Sequence, residues 1–365
     1  MEKIKRDKNR VDIAKLKAEE NEGEDVRGGY IIKVDKKEGE YDGWTSYSNP
    51  PRSGWKPIFF QYVYPKHDSI TTAQKEYIQN YIMDFEKSLN KSAFRDPLTG
   101  YQPYVDMTSF ADMFIINELT KDIDGYRFST FMYKNKNGPL TMGPIWDFNL
   151  GYGNVDYGSE RAMETDGWMY NTGGARMYWF PRMMTDRAFK ERLRDRWFEL
   201  RRGAFSNDRI HALIDSLAAH IDEAQARNFQ RWPVLGKYLW PNSFVGESWQ
   251  QELDFLVNWI DERLAWMDAN MPYTETGVEH RVEEAAVLSV FPNPFNSSIT
   301  ISPAAQKGVI HIYDVQGRRV RAFYHSGGVL TWDGRDENGL DLASGIYLID
   351  CVGSKQTRIK VTLIR

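Results

Sequence analysis

Asn117-Glu-Leu-Thr-Lys-Asp-Ile-Asp124-Gly-Tyr-Arg127-Phe-Ser129-Thr-Phe-Met-Tyr-Lys-Asn-Lys-Asn137-Gly138-Pro-Leu-Thr-Met-Gly-Pro-Ile-Trp-Asp147-Phe-Asn149 is the stretch on which the reading of this chain turns. Residues 126–134 carry aromatic and β-branched side chains in alternation, Asn137-Gly138 is a two-residue hairpin signal, and 140–146 returns. Doubling the chain about that turn sets Asp147 roughly opposite Phe128 and Ser129, a few residues from Asp124. Carboxylates gathered in this way repel unless a cation lies between them or one takes a proton. Phosphoryl transfer needs such a layout, with one acid to orient a hydroxyl and another to hold Mg2+ on phosphates. Taken without wider context, the same two aspartates also suit simple turn caps at the hairpin ends.

Outward from the hairpin, the pattern alternates between helix and strand. Gly28-Gly29-Tyr30 opens a strand to Asp35, and Phe59–Tyr64 predicts another, closed by Pro65. The stretch 39–57, rich in Gly, Pro, Ser and Trp, reads as a loop. Thr71 and Thr72 can cap a helix over 72–90, and Asp106 a second over 107–121. A loop rich in glycine and aromatics follows from Gly151 to Arg176, then helices over about 181–202, 207–230 and 246–270. Residues 273–285 read as a linker. From Ala286 the period becomes two, with turns at Pro292-Asn-Pro-Phe-Asn, Gln316-Gly317, Gly327-Gly328, Asp333-Gly334, Glu337-Asn-Gly339 and Gly353-Ser, the pattern of a small β-sandwich.

Bulk properties narrow the function. The 365 residues allow two or three domains. A formal charge of -4 argues against a nucleic-acid partner. The single cysteine, Cys351, excludes an internal disulfide or a cysteine-based zinc site, and the six histidines show no metal-ligand spacing. No run approaches the ~18 apolar residues of a membrane span. The 12 tryptophans suit either a large core or exposed stacking surfaces. Asp333–Gly339 lacks the ligand spacing of a calcium loop and reads as a turn, and Arg227–Trp232 reads as a clamp between the last helices.

The N-terminal region resembles the spore coat protein H (CotH) kinase family, atypical kinases of secreted and cell-surface proteins. The resemblance rests on Glu2-Lys-Ile-Lys-Arg-Asp-Lys-Asn-Arg-Val-Asp-Ile13, Gly28-Gly-Tyr-Ile-Ile-Lys-Val-Asp35, Asn117-Glu-Leu with Asp124-Gly-Tyr-Arg127, Gly143-Pro-Ile-Trp-Asp147, Arg227-Asn-Phe-Gln-Arg-Trp232-Pro and Trp259-Ile-Asp-Glu-Arg-Leu-Ala-Trp-Met-Asp268. It implies an α+β fold: an atypical protein-kinase-like domain, mainly its helical lobe, over residues 1–272. It also implies catalysis with ATP and Mg2+. In that family pattern Asp124 occupies the catalytic-loop position and Asp147 the metal-binding position. Ser129 stands where ordinary protein kinases carry an Asn that ligates a second Mg2+, and its hydroxyl can ligate the same ion. Asn149 is a second candidate ligand for metal or phosphate, and Arg127 a group to neutralise phosphate charge. Asn117 and Glu118 are candidate supporting groups near the nucleotide, or a solvated helix end.

The resemblance starts abruptly at Met1. Nucleotide-covering strands and a phosphate-pairing lysine are expected upstream of that point, in a longer gene or before a mis-called start. Within the chain Lys3, Lys5 and Lys33 are the candidates for that lysine. The C-terminal region, 286–365, resembles the type 9 secretion sorting domain, a small all-β Ig-like sandwich related to FlgD-like modules. The residues that carry this are Phe291-Pro-Asn-Pro-Phe-Asn296, Ile312-Tyr-Asp-Val-Gln-Gly-Arg318, Thr331-Trp-Asp-Gly334, Ser344-Gly-Ile-Tyr347 and Arg358-Ile-Lys-Val-Thr-Leu-Ile-Arg365. It implies export across a bacterial outer membrane, with the secretion machinery as partner and a signal peptide upstream. Two functions are therefore expected: a secreted kinase acting on Ser or Thr of extracellular proteins, or a non-catalytic adhesion or polysaccharide-binding protein. The second would stack sugars on Tyr152, Tyr157, Trp168, Tyr170, Tyr178 and Trp179.

Overall fold

The structure, a computed structural model, describes residues 3–37, 42–46, 57–158, 162–172, 177–272, 289–302, 308–325, 329–351 and 359–365. The expected linker, the Gly327-Gly328 and Gly353-Ser turns and Arg358 lie outside the described residues. The chain forms two compact units, Met1–Thr274 and Glu275–Arg365.

The first unit is built on an antiparallel sheet of β1 (Tyr30–Val34), β2 (Gly43–Thr45), β3 (Phe59–Tyr64), β4 (Thr130–Lys134) and β5 (Leu140–Met142), in the order β2-β3-β1-β4-β5. Its central strand is apolar at nearly every position because both faces are covered. Tyr30, Ile32, Phe60 and Met132 enter the main core under the helices. On the other face Ile31 and Phe131 pack with Val11 and Ile13 of the N-terminal segment. β2 lies inside the stretch expected to be loop. Three residues pair there because Trp44 packs on Phe60 and Tyr62, with ring centroids 5.0 and 5.1 Å apart.

Seven helices complete the described part of this unit: α1 (Thr72–Asn90), α2 (Met107–Thr120), α3 (Trp179–Met183), α4 (Arg187–Arg201), α5 (Asn207–His220), α6 (Asp222–Arg231) and α7 (Trp249–Asn270). Thr71 and Gln74 form a reciprocal capping box at α1, and Asp106 accepts from the Ser109 amide at α2, as their sequences predict. Two expected helices are broken. The span 181–202 is interrupted because the Asp186 carboxylate caps a new helix by accepting from the Ala188 amide. The span 207–230 breaks at Ile221, where the backbone leaves helical geometry between α5 and α6. The core centres on Trp179, whose ring meets Phe85 at 4.8 Å and whose indole N–H reaches Glu86 at 3.0 Å.

The hairpin differs from its sequence reading in extent. Met132 pairs with Met142 and the ladder ends there, so register alone does not carry to Asp147; Asp147 meets Phe128 and Ser129 as lining of one cleft. Pairing stops at Met142 because Pro144 offers no N–H. Tyr126 (φ 66°) and Ser129 (φ 49°) are left-handed, so the strand begins only at Thr130.

The second unit is a sandwich of two sheets. One has the order β10-β7-β6, from β6 (Ser289–Phe291), β7 (Ile299–Ser302) and β10 (Leu330–Trp332). The other has the order β12-β11-β8-β9, from β8 (Gly308–Asp314), β9 (Arg319–His325), β11 (Gly345–Cys351) and β12 (Ile359–Leu363). Trp332, Phe295, Ile301, Ile312, Ile349 and Val361 fill the space between them. The turn at Gln316-Gly317 is closed by Asp314, which accepts from the amides of Gln316 and Arg318, and Gly317 takes φ 79° there. Asp336 plays the same part for Asn338 and Leu340, so 333–339 is a turn, as expected. Among the described residues no helix is long and apolar enough to cross a membrane.

Candidate functional site

α2 ends at Lys121, which turns left-handed (φ 46°) and sends the chain into a tight loop. The Asp122 carboxylate accepts from the Asp124 amide at 2.7 Å, and the Asp124 carbonyl accepts from the amides of Arg127 and Phe128 at 3.2 and 2.9 Å. Gly125 is required in this loop. A Cβ there would lie 2.9 Å from the Asp122 carbonyl and 3.0 Å from the Asn117 side-chain oxygen.

The Asp124 carboxylate is almost buried and bracketed by cations. Arg127 Nη2 donates to Oδ1 at 2.9 Å, and Lys36 Nζ stands 3.8 Å from Oδ2. Asp147 contrasts with it. Half-buried and left-handed (φ 66°), it has no ion pair among the described residues. Strain of this kind, on the order of 1–3 kcal/mol per residue, gathers at functional sites. Tyr126, Ser129 and Asp147 all carry it, within one small region.

Asp124, Asp147, Asn117 and Ser129 line one cleft with a cavity of about 10 Å3, room for a single water or small ion. Asn117 is buried and its Nδ2 has no hydrogen-bond partner. The Ser129 amide faces Asp35 at 3.5 Å. The oxygen ligands on offer are therefore the aspartate carboxylates and the Ser129 hydroxyl, hard groups that suit Mg2+, while the unpaired Asn117 Nδ2 is an N–H donor suited to a water or a phosphate oxygen. Among the described residues no three His, Cys, Asp or Glu side chains gather as a metal cage. An ion here would draw its remaining ligands from phosphate and water, the habit of Mg2+ at nucleotide sites.

Other expected residues are placed elsewhere. Asn149 is exposed and lines a separate, apolar cavity, so it is not brought into the acid cleft. Arg127 touches the cleft through Asp124. Lys33 is paired to Asp35 at 2.9 Å, whereas Lys3 lines a cavity that also includes Asp147. Glu118 turns away into the core. It accepts from Tyr126 at 3.0 Å and from the amides of Met169 and Tyr170 at 2.8 Å, and pairs with Arg263 at 3.4 Å. Burial pushes Glu118 upward from the carboxylate range, opposed by Arg263 and these donors, and pushes Arg263 down to about 10. The pair ties α2 and α7 to Tyr126 of the loop that follows α2.

The sugar-stacking surface expected over 151–180 is not formed as such. Tyr178 and Trp179 are buried, and Tyr152, Trp168 and Tyr170 pack on the core. Tyr157 packs against the core as well. Its phenol is pushed up by burial and then by Asp124, and its ring stacks on Trp240 at 5.4 Å. The Arg227–Trp232 clamp fails too, because Arg227, Arg231 and Trp232 are exposed; only Phe229 reaches α7, at Trp249. His211 of α5 stands 2.9 Å from Asp261 of α7 and links the two helices.

Sequence reasoning missed Lys36, Asp122 and Asp35. A signal for Lys36 existed: pairing Val34 with Thr130 continues to a Lys36–Phe128 level, next to Asp124.

Among known families, the CotH kinase protein family matches residues 1–267, and the secretion system C-terminal sorting domain matches 289–365. Among curated proteins none matches the chain. Two solved structures share part of it. PorZ, an essential bacterial surface component of the type-IX secretion system of Porphyromonas gingivalis, is 26% identical over 24% of this chain and 13% of its own, with a TM-score of 0.21. Dimeric latent PorU of the same organism is 25% identical over 21% of this chain and 9% of its own, with a TM-score of 0.17. The chain thus spans well under two thirds of either protein. With an α+β unit matched over most of its length and a β-sandwich behind it, the chain belongs to the CotH kinase protein family and ends in a secretion system C-terminal sorting domain, which makes it a secreted or cell-surface kinase-like protein.

Proposed function

We propose that this protein transfers the γ-phosphoryl group of ATP, with Mg2+, to a Ser or Thr hydroxyl of an extracellular or surface protein. The observation that supports this best is the shared cleft of Asp124 and Asp147, one carboxylate held by cations and the other left open. Asp124, fixed by Arg127 and Lys36, orients the acceptor hydroxyl and takes its proton. Asp147 and Ser129 would hold Mg2+, with the Asn117 amide beside them; when bound, the ion supplies shielding of phosphate charge. Arg127 and Lys36 add positive potential in a partly dry site, where it counts for more than in water.

The test is radiolabel transfer from ATP to a Ser-rich acceptor protein, with Mg2+ present and chelated. Asp124→Ala should lower kcat by 100-fold or more, on the order expected for a lost acid–base group, while ATP still raises Tm in the presence of Mg2+. Asp147→Ala should remove that Tm shift as well. Undiminished transfer by Asp124→Ala would defeat the assignment.

A further inference from the structure

Three cavities share Phe148 as a wall. The small acid cleft is one. The second, about 500 Å3, takes its walls from residues before Asp147 and from Lys3, Asn9 and Arg10 of the N-terminal segment. The third, about 420 Å3, takes its walls from residues after Asp147, from the 234–245 loop and from α7. Its volume lies within the range of small-ligand sites.

The second and third cavities differ in chemistry. The second is also largely apolar, through Ile4, Val11, Ile145 and Trp146, but Lys3 and Arg10 stand in its wall beside Asp147, so it carries net positive charge. The third is walled by Phe229, Phe244, Trp249 and Leu256, and its charged lining residues, Lys237 and Glu252, are of opposite sign. A triphosphate would gain little there, whereas an apolar side chain would leave water. We propose that the third cavity is an acceptor-side specificity pocket, which takes one bulky apolar or aromatic side chain flanking the Ser or Thr whose hydroxyl reaches Asp124. This rests on the kinase reading above and names the class of acceptor segment for the same site.

Two features order the chain between Phe148 and the pocket rim. The loop through Tyr157 is stapled to the pocket rim: the Asp156 amide donates to the Pro241 carbonyl at 2.9 Å, Tyr238 bonds Asp156, and Ser243 bonds the Gly153 carbonyl. Tyr157 in turn stacks on Trp240, whose ring is 70% exposed. The two rings form an aromatic shelf beside the pocket rim. Asn149 and Asn154 line the pocket and offer amides to its backbone.

The probe is a set of short fluorescein-labelled peptides with one central Ser and a single Trp moved through the flanking positions, against an all-Gly control. Anisotropy reports binding to the full chain, and radiolabel transfer reports chemistry. At one Trp position Kd should fall about tenfold or more below the control, about 1.4 kcal/mol. Leu256→Trp, which fills the pocket, should erase that preference, and Val234→Trp on the loop wall repeats the test if Leu256→Trp does not fold. Equal binding at all positions overturns the pocket, as does a preference that survives both fillings. A preference without any transfer overturns the kinase reading alone; transfer without a preference overturns the pocket alone.

Discussion

Asp147 has a conformation that its side chain does not favour and a carboxylate that no cation neutralises among the described residues. Asp147→Gly removes both features. It should therefore leave thermal stability unchanged or raise it by about 1 kcal/mol, while abolishing any Mg2+-dependent rise in Tm with ATP. Glu118 and Arg263 show the opposite arrangement: both are wholly buried, and each is tolerated there because of the other. Arg263→Met should cost about 3–5 kcal/mol in urea unfolding, because Glu118 is stranded, and the double variant Glu118→Leu/Arg263→Met should recover much of the loss. Lys134 carries a pH signature. Burial pushes its ammonium from 10.5 down to about 8, although the Arg27 carbonyl accepts from it and Tyr81 lies 4.6 Å away. Between those values the unfolded chain keeps a proton that the folded chain has released, so stability rises with pH from about 8 to 10.5. Lys134→Met should flatten that rise in denaturant curves compared at pH 8 and 10.

At the scale of elements, caps were easier to read than breaks. Thr71 and Asp106 announce their helices through side-chain oxygens placed one residue before an apolar periodicity, and the structure uses both. Thr71→Ala should cost about 1 kcal/mol, measured as a change in denaturation midpoint. The break at Ile221 was not legible, because its residue types suit a continuing helix. None of the described residues of α5 or α6 is fully buried, and the core contacts of α5 come from Ile210 and Ile214, well before the break. β2 escaped notice for a related reason: three residues have too little pattern, and pairing with β3 decides them. The segment after Asp147 depends on close approach. A Cβ on Gly153 would come within 2.5 Å of the Trp259 indole nitrogen. Gly153→Ala should shift the loop that carries Tyr157 and weaken acceptor binding more than nucleotide binding, read as a rise in acceptor KM with the ATP-induced Tm shift retained.

At the scale of the molecule, two units with separate cores share one chain. Such chains need not unfold in a single step. Each core can be perturbed within the full-length chain: Trp332→Ala in the sandwich and Trp179→Ala under the sheet should each lower a different calorimetric transition, by roughly 3–5 kcal/mol. A single transition that responds to both would contradict the division.

Sequence alone determined the order of domains, most helix starts, the alternation of the C-terminal strands and the two aspartates, because these follow from local periodicity, capping oxygens and motifs. It located the hairpin turn, because Asn137-Gly138 is a local signal, but the ladder counted from that turn ends at the Met132–Met142 pair, short of Asp147. Tertiary structure alone decided which polar groups share a cleft. Lys36 reaches Asp124 through pairing between β1 and β4, Glu118 turns to Arg263 instead of solvent, and Asn149 faces an apolar cavity. Those outcomes depend on which face of a loop is buried by segments distant in the chain, and local pattern carries no record of that.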